Sequence, residues 1–417
     1  MKYLAKLSAC LYIFLPPACL FAVACNEGGN SYIGPTLRHL IYHRPDSSLK
    51  KKPAAPPPVA EAKHITADTA SFDRTCNDIA RYIAGMKQEP GSKLIPLEKD
   101  TVWIKFSKNF DKEWQQLNQN RLAKMNSWAA TELASQRKAN LNLFYPFSGP
   151  DILHAGDFFP DPKRYSMFAL ERAGSLPDMQ KMKPSAIETY LNSIYASLSD
   201  VFTKSYFITH NMLTDLQREN VNGATPLISV FLVRTNHTII NIKYFHLNND
   251  GSETPVKKDS AIHFNDFVKV YFRKKGDSAL QVVSYLKCDL SDEGIASNKA
   301  LASMLNNLPQ VTTYLKSASY LLHYKNFNTL RNIILNKSAT ILEDDTGIPY
   351  KYLAKDKWTI SLYGQYVTPV SNFSGVFQDD LKQAYGDTLG HKVKSLPFSL
   401  GYHWGTNYQN LIKAERK

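Results

Sequence analysis

The chain has 417 residues, 43% hydrophobic and 21% charged, which is enough apolar material to bury a core and too much for a disordered chain. Aromatic residues make up 12% and glycines number only 19, so collagen-like and glycine-repeat architectures are excluded. Fifty lysines and arginines against 37 acids give a net charge of +13, which points toward anionic surfaces as partners.

The first residues read as an address. Met1-Lys2 and Lys6 precede an apolar stretch from Leu7 to Ala24, which ends at Cys25 and is followed by Asn26-Glu27-Gly28-Gly29-Asn30. A positive start, an apolar middle and small residues at the cut are the order of a secretory signal. Pro16-Pro17 interrupts the stretch, and a proline pair removes two backbone donors from any membrane-spanning helix there. Ala22-Val23-Ala24-Cys25 resembles the lipobox of bacterial lipoproteins, with alanine where that family usually carries leucine. The resemblance implies diacylglycerol on the Cys25 thiol; Cys10 and Cys19 are poorer candidates by position. Asn26 in place of aspartate resembles outer-membrane lipoproteins, and Glu27 resembles the surface-export signals of the Bacteroidota. Expected domains are therefore a signal over 1–24, a lipidated tether over 25–71 and one large folded part over 72–417.

Without Lys2 and Lys6 the chain keeps 48 basic and 37 acidic residues, a net +11. For an exported, anchored protein the expected partners are the membrane, through the lipid, and an anionic envelope polymer or an envelope protein. Nucleic acid is disfavoured, because the lysines are spread along the chain and not gathered in a stripe. The tether contains Lys50-Lys51-Lys52-Pro53-Ala54-Ala55-Pro56-Pro57-Pro58, a semi-extended spacer. Cys76 and Cys288, 212 residues apart, are the cysteines of the folded part; an exported compartment permits their pairing, and two free thiols are the alternative. Neither has zinc-ligand spacing to a neighbour.

Beyond Ser71, the expected N-cap, Phe72, Cys76, Ile79, Ala80 and Ile83 repeat at helical spacing. Phe110, Trp114, Leu117, Met125, Trp128 and Leu133 mark a second helix of about 25 residues whose aromatic stripe reads as core. Pro184 opens a third helix, and a fourth is expected from Ser205 to Asn220. A β-branched run from Thr238 to Leu247, the turn Asn249-Asp250-Gly251, and alternating segments Phe267–Phe272 and Leu280–Leu286 predict an antiparallel meander. Ser291, followed by Asp292 and Glu293, caps a helix expected to reach Leu308. Further helices are expected near 328–336 and 378–385, and strands near Ile341, Trp358–Tyr363 and Phe398–His403. The fold class that follows is α+β, with N-terminal helices packed on a mainly antiparallel sheet.

One stretch stands out chemically: Phe144-Tyr145-Pro146-Phe147-Ser148-Gly149-Pro150-Asp151, running on through His154, Gly156, Asp157 and Pro162. Prolines and glycines stiffen it while Ser148, Asp151, His154 and Asp157 offer polar groups, a sensible binding site because preorganised groups lose less entropy. The two aspartates with the imidazole suit a divalent cation or an acid–base pair; the plainer reading has the aspartates capping turns. Ser148 is not a nucleophile elbow, since Pro146 occupies the place of its first glycine. Together with Leu315–His323 and Asp344-Asp345-Thr346-Gly347-Ile348-Pro349, the stretch resembles an uncharacterised family of exported bacterial proteins, a resemblance that implies no activity. Asp345-Thr346-Gly347 is the triplet of aspartic proteases, but no second copy exists in the chain, and the acidic run reads as a turn between strands or a weak calcium site. His323, His391 and His403 complete the notable histidines, with His39 and His43 in the tether. No phosphate loop or dinucleotide fingerprint is present, which speaks against a nucleotide cofactor, and the sequence indicates no other. Two functions follow: a membrane-anchored envelope lipoprotein with a ligand- or partner-binding domain, or an exported, metal-assisted hydrolase using Asp151, His154 and Asp157.

Overall fold

The computed structural model describes residues 70–207, 221–257, 263–387 and 392–417. The expected signal, the lipobox with Cys25, nearly all of the tether, most of the helix expected to end at Asn220, and His391 lie outside the described residues.

Among the described residues ten strands form one sheet: β1 (Leu143–Pro146), β2 (Arg164–Ala169), β3 (His237–Leu247), β4 (Glu253–Val256), β5 (Asp266–Lys274), β6 (Gln281–Lys287), β7 (Val311–Leu315), β8 (Ser338–Glu343), β9 (Trp358–Gly364) and β10 (Asn410–Arg416), in the order β4-β3-β5-β6-β2-β1-β7-β8-β10-β9. The expected meander is present as antiparallel β3, β4, β5 and β6, and β10 runs antiparallel to β8 and β9 at the other end. Antiparallel pairings outnumber parallel ones five to four, and the fold is α+β; the four parallel pairings all join β6, β2, β1, β7 and β8 in the middle.

Helices cover both faces, because successive residues of a strand point to opposite sides. Leu143 and Tyr145 of β1 face a core shared with α1 (Arg74–Ile83), α2 (Thr101–Leu117), α3 (Ala123–Glu132), α5 (Ile152–Phe158), α6 (Pro184–Lys204) and α7 (Thr225–Arg234), the short α4 (Ala134–Ala139) lying after α3. Phe144 faces the opposite core, with α8 (Asp292–Ser297), α9 (Lys299–Asn306), α10 (Asn328–Lys337) and α11 (Asp379–Gly386). The aromatic stripe is core, as Phe110 and Trp128 show: both are buried, and the Trp128 ring meets those of Phe158, Tyr363 and Phe398 edge-on.

Several boundaries differ from expectation for identifiable reasons. The cap of α1 is Asp73, whose carboxylate accepts from Thr75 N, not Ser71. A π-helical turn, Asn118–Leu122, splits the long second helix. Asn298 divides the expected Ser291–Leu308 helix into α8 and α9 by capping the latter through Leu301 N. The segment Phe398–His403 is not a strand: Gly401 at φ +64° opens a 3-10 turn there. Helix α7 was not legible from spacing, since every residue from Thr225 to Val233 is buried and an all-apolar helix carries no amphipathic period.

Leu342 of β8 is fully buried in the first core. Leu342→Ala is expected to cost about 2–5 kcal/mol, read as a lower urea midpoint with unchanged slope.

Candidate functional site

The five parallel strands put their carboxyl ends on one edge of the sheet. From β1 the chain crosses through α5 to β2 on one side, while β7, returning from β6, settles against the other side of β1 and leads through α10 to β8. Between β1 and β7 the connections therefore diverge in opposite directions, and the loops leave a crevice, the place where open sheets with parallel strands bind ligands. A cavity of about 90 Å³ lies there. Its walls come from residues just beyond four parallel strands: Ser148 and Asp151 after β1, Glu171 after β2, Leu290 after β6, and Lys316 after β7.

Asp151 and Lys316 are the charged heart of this edge. Asp151 caps α5, accepting from His154 N at 3.3 Å, while its Oδ2 meets Lys316 Nζ at 2.6 Å and the Tyr145 hydroxyl at 3.1 Å. Its Oδ1 meets His154 Nδ1 at 2.8 Å. All three of Asp151, His154 and Lys316 are buried. Lys316 also donates to Ser205 O, at the carboxyl end of α6. Arg121, set by the π-helical turn, donates to Val201 O at 2.9 Å and Thr203 O at 3.0 Å, so two cations stand at the negative end of α6.

Burial pushes the His154 imidazole down to about 4, against the pull of Asp151, so the ring is neutral at neutral pH. Burial alone would raise the Asp151 carboxyl, but His154 and Lys316, by charge and by hydrogen bonds, hold it well below the usual carboxylate range. An ionised Asp151 fixes the proton of His154 on Nδ1, donating to Oδ1. Lys316 Nζ, 3.2 Å from that same nitrogen, then finds no lone pair there. One of its three N–H groups is left without an acceptor among the described residues.

The walls are also conformationally strained. Eight described residues other than glycine have positive φ, and three are asparagines, which tolerate that region. The other five, Phe147, Ser205, Ser317, Ser319 and Tyr320, all line the cavity or adjoin a residue that does. Each costs about 1–3 kcal/mol and persists only where its surroundings enforce it. The enforcers follow β8. Asp344 Oδ2 accepts from Ser317 N at 3.0 Å, Thr346 Oγ1 from Ala318 N at 2.7 Å, and Asp345 Oδ2 from the Tyr320 hydroxyl at 2.6 Å. Glu343, Asp344 and Asp345 of the acidic run are all buried. Asp345 also pairs with His403 Nε2 at 3.3 Å and accepts from Asn410 Nδ2 at 3.0 Å. Burial and the neighbouring Asp345 raise the Asp344 carboxyl, while at Asp345 burial is outweighed by His403 and Tyr320, which lower it.

Of the residues singled out by sequence, Ser148 and Asp151 line the cavity, while His154 stands behind Asp151 and does not. Ser148 Oγ donates to Gly149 O at 2.8 Å and contacts no imidazole. Asp157 does not join the group: its Oδ2 is buried without a hydrogen-bond partner, and Arg137 donates to its backbone oxygen, not its carboxylate. Among the described residues no group of three or more His, Cys, Asp or Glu side chains is arranged to hold a metal ion. Cys76 and Cys288 are not joined in a disulfide; Cys288 lines the cavity, and burial pushes its pKa up. Lys316 and Glu171 were missed. The available signal was a lysine ending the strand-prone run Val311-Thr312-Thr313-Tyr314-Leu315 and a glutamate following Met167-Phe168-Ala169-Leu170.

No family model matches the chain, and comparison with curated proteins and with solved structures finds no match to either.

Two outcomes are expected. Lys316→Met leaves a buried carboxylate uncompensated, at a cost of about 3–5 kcal/mol; adding Asp151→Asn recovers most of it, giving a coupling energy in a double-mutant denaturation cycle. For Asp157, burial raises the carboxyl to about 7 from about 3.9 when unfolded. Its contribution is therefore complete below about pH 4 and lost as pH rises through 7. Asp157→Asn should match the parent protein at pH 4 and exceed it by about 1–2 kcal/mol at pH 8, less than the full linkage because Asp157 keeps some solvent contact.

Proposed function

We propose that the folded part is the ligand-binding domain of a cell-envelope lipoprotein, held at the membrane by lipid on Cys25, and that a small polar ligand occupies the cavity between the ends of β1 and β7. The observation that carries this reading is the cavity itself, at the divergence of the connections, walled by buried Lys316, Asp151 and Glu171. Charged groups buried around an open space are costly unless something compensates them, and an unused Lys316 N–H beside an unpartnered Ser317 Oγ offers hydrogen bonds to a guest.

The anchor rests on the order of residues around Ala22-Val23-Ala24-Cys25 and on the spacer behind them. With two or more acyl chains, attachment is stable because each buried methylene adds about 0.8 kcal/mol. No helix of the described residues is long and apolar enough to cross a membrane. The outer membrane is the proposed destination, where the basic chain would also meet anionic envelope polymers. A hydrolase has less support: His154 lies outside the cavity wall and Ser148 has no base beside it.

Growth with labelled palmitate should label the parent protein and not Cys25→Ala, which should leave the membrane fraction. For the cavity, a thermal-shift screen of sugars, amino acids and nucleosides on the full chain should find a compound that raises Tm. Leu290→Trp, filling the cavity, should abolish that shift. A library silent on the parent, or a shift that survives the plug, would overturn the cavity as the binding site.

A further inference from the structure

Resting on the lipid anchor at Cys25 proposed above, we propose that the open groove beside α2 is a second membrane contact, which lays this face of the domain on anionic phospholipid. The groove measures about 900 Å³ and is lined by α2 and by the segment before it. Lys87, Lys99, Lys108 and Lys112 stand along it, all exposed, and none of them pairs with a carboxylate among the described residues. The acids of the same wall are engaged: Asp111 pairs with Arg234, and Glu98 accepts from Gln88 N. With Asp111 neutralised by Arg234, four lysines face one glutamate, a surplus of three positive charges. Such a surplus is drawn to a negative surface and acts within a Debye length of about 8–10 Å.

Positive charge alone would serve an anionic polymer as well as a bilayer, and the apolar side chains decide for the bilayer. Ile104 is 52% exposed and Ile95 37%, and both line the groove. Ile104, Lys108 and Lys112 follow one another four residues apart on one face of α2, while Trp103, Phe106 and Phe110 turn into the core. A hydrophilic polyanion would leave both isoleucines in water. At a bilayer they enter the boundary between headgroups and acyl chains, while the lysine stems lie along the apolar surface and hold their ammonium groups at the phosphates. Chain length permits the contact: the 45 residues from Cys25 to Ala70 can span up to about 150 Å. Between the start of the described chain and the groove stands only α1, about 15 Å long. With the lipid already in the bilayer the second contact is intramolecular, so a groove too weak to hold the protein alone still orients it.

Quenching by brominated lipid tests this on the full chain in vesicles. Ile104→Trp places an indole at the groove, an exposed substitution that the fold tolerates. Each vesicle holds one brominated lipid in equal parts with plain phosphatidylcholine, the brominated lipid being either phosphatidylglycerol or phosphatidylcholine. The added indole should be quenched at least about threefold more with phosphatidylglycerol, and high salt should reverse the difference. Lys99→Gln, Lys108→Gln and Lys112→Gln together should cut that quenching at least about threefold. Lys299→Gln, Lys355→Gln and Lys357→Gln, which remove the same charge from exposed sites outside the groove, should leave it unchanged. Phe264→Trp, at a site 74% exposed and also outside the groove, should show no such quenching. Equal quenching with the two lipids, equal loss in the two lysine sets, or equal quenching from Phe264→Trp overturns the proposal. If the chain floats with the vesicles while the indole of Ile104→Trp stays unquenched, the groove is wrong and the anchor stands. If adding Cys25→Ala changes neither flotation nor quenching, the anchor falls and the groove stands as a contact of its own. If the parent shows neither flotation nor quenching, both fall.

Discussion

A lysine ammonium buried against an aspartate, Lys316 on Asp151, is the contact on which the rest of this edge depends. Isolated, either charge in that position would cost several kcal/mol in desolvation. Paired, they tie the end of β7 to the first turn of α5, and through Ser205 O to the end of α6. Three segments far apart in the chain meet at one nitrogen. Arg121 beside them explains the π-helical turn functionally: one extra residue per turn re-aims a side chain without ending the helix, and here it brings a guanidinium to the last carbonyls of α6.

Strain and polarity support each other around that pair. A tyrosine and two serines in left-handed conformations would relax if the segment 317–320 were free, yet Asp344, Asp345 and Thr346 hold it through three hydrogen bonds. The acids are themselves close-packed: a Cβ on Gly401 would come within 2.5 Å of Asp344 Oδ2. Such a loop cannot drift to follow a ligand. Under the binding reading proposed above, a ligand would have to fit the wall, an arrangement that trades adaptability for preorganisation.

Legibility from sequence divided along the sheet. The meander β3 to β6 was readable because its strands alternate and its turn is Asn249-Asp250-Gly251. Strands β1, β2 and β7, which carry the cavity, were not. β1 has four residues ending in Pro146, all buried, and β7 is buried on all five; short strands covered on both faces have no period to detect. The stretch Phe144 to Pro162 therefore looked like a rigid loop when it is a strand end, a two-turn helix and their connections. Ser148 and Asp151 were found because they sit among prolines and glycines. Lys316 was not, because its meaning depends on Asp151, 165 positions earlier, and only the parallel register brings them together.

The contrast between the whole chain and its cavity bears on what can bind. The protein carries +13 overall, yet Asp151, Glu171 and Asp289 line the cavity against one lysine. Exposed lysines are screened within about 8–10 Å at ordinary ionic strength, whereas groups in a water-poor recess act on a guest at close range. Net charge therefore governs which surface the protein approaches, and the recess governs what enters. A basic exterior and an acceptor-rich recess thus act at different ranges, the first on charged surfaces and the second on hydrogen-bond donors at contact distance.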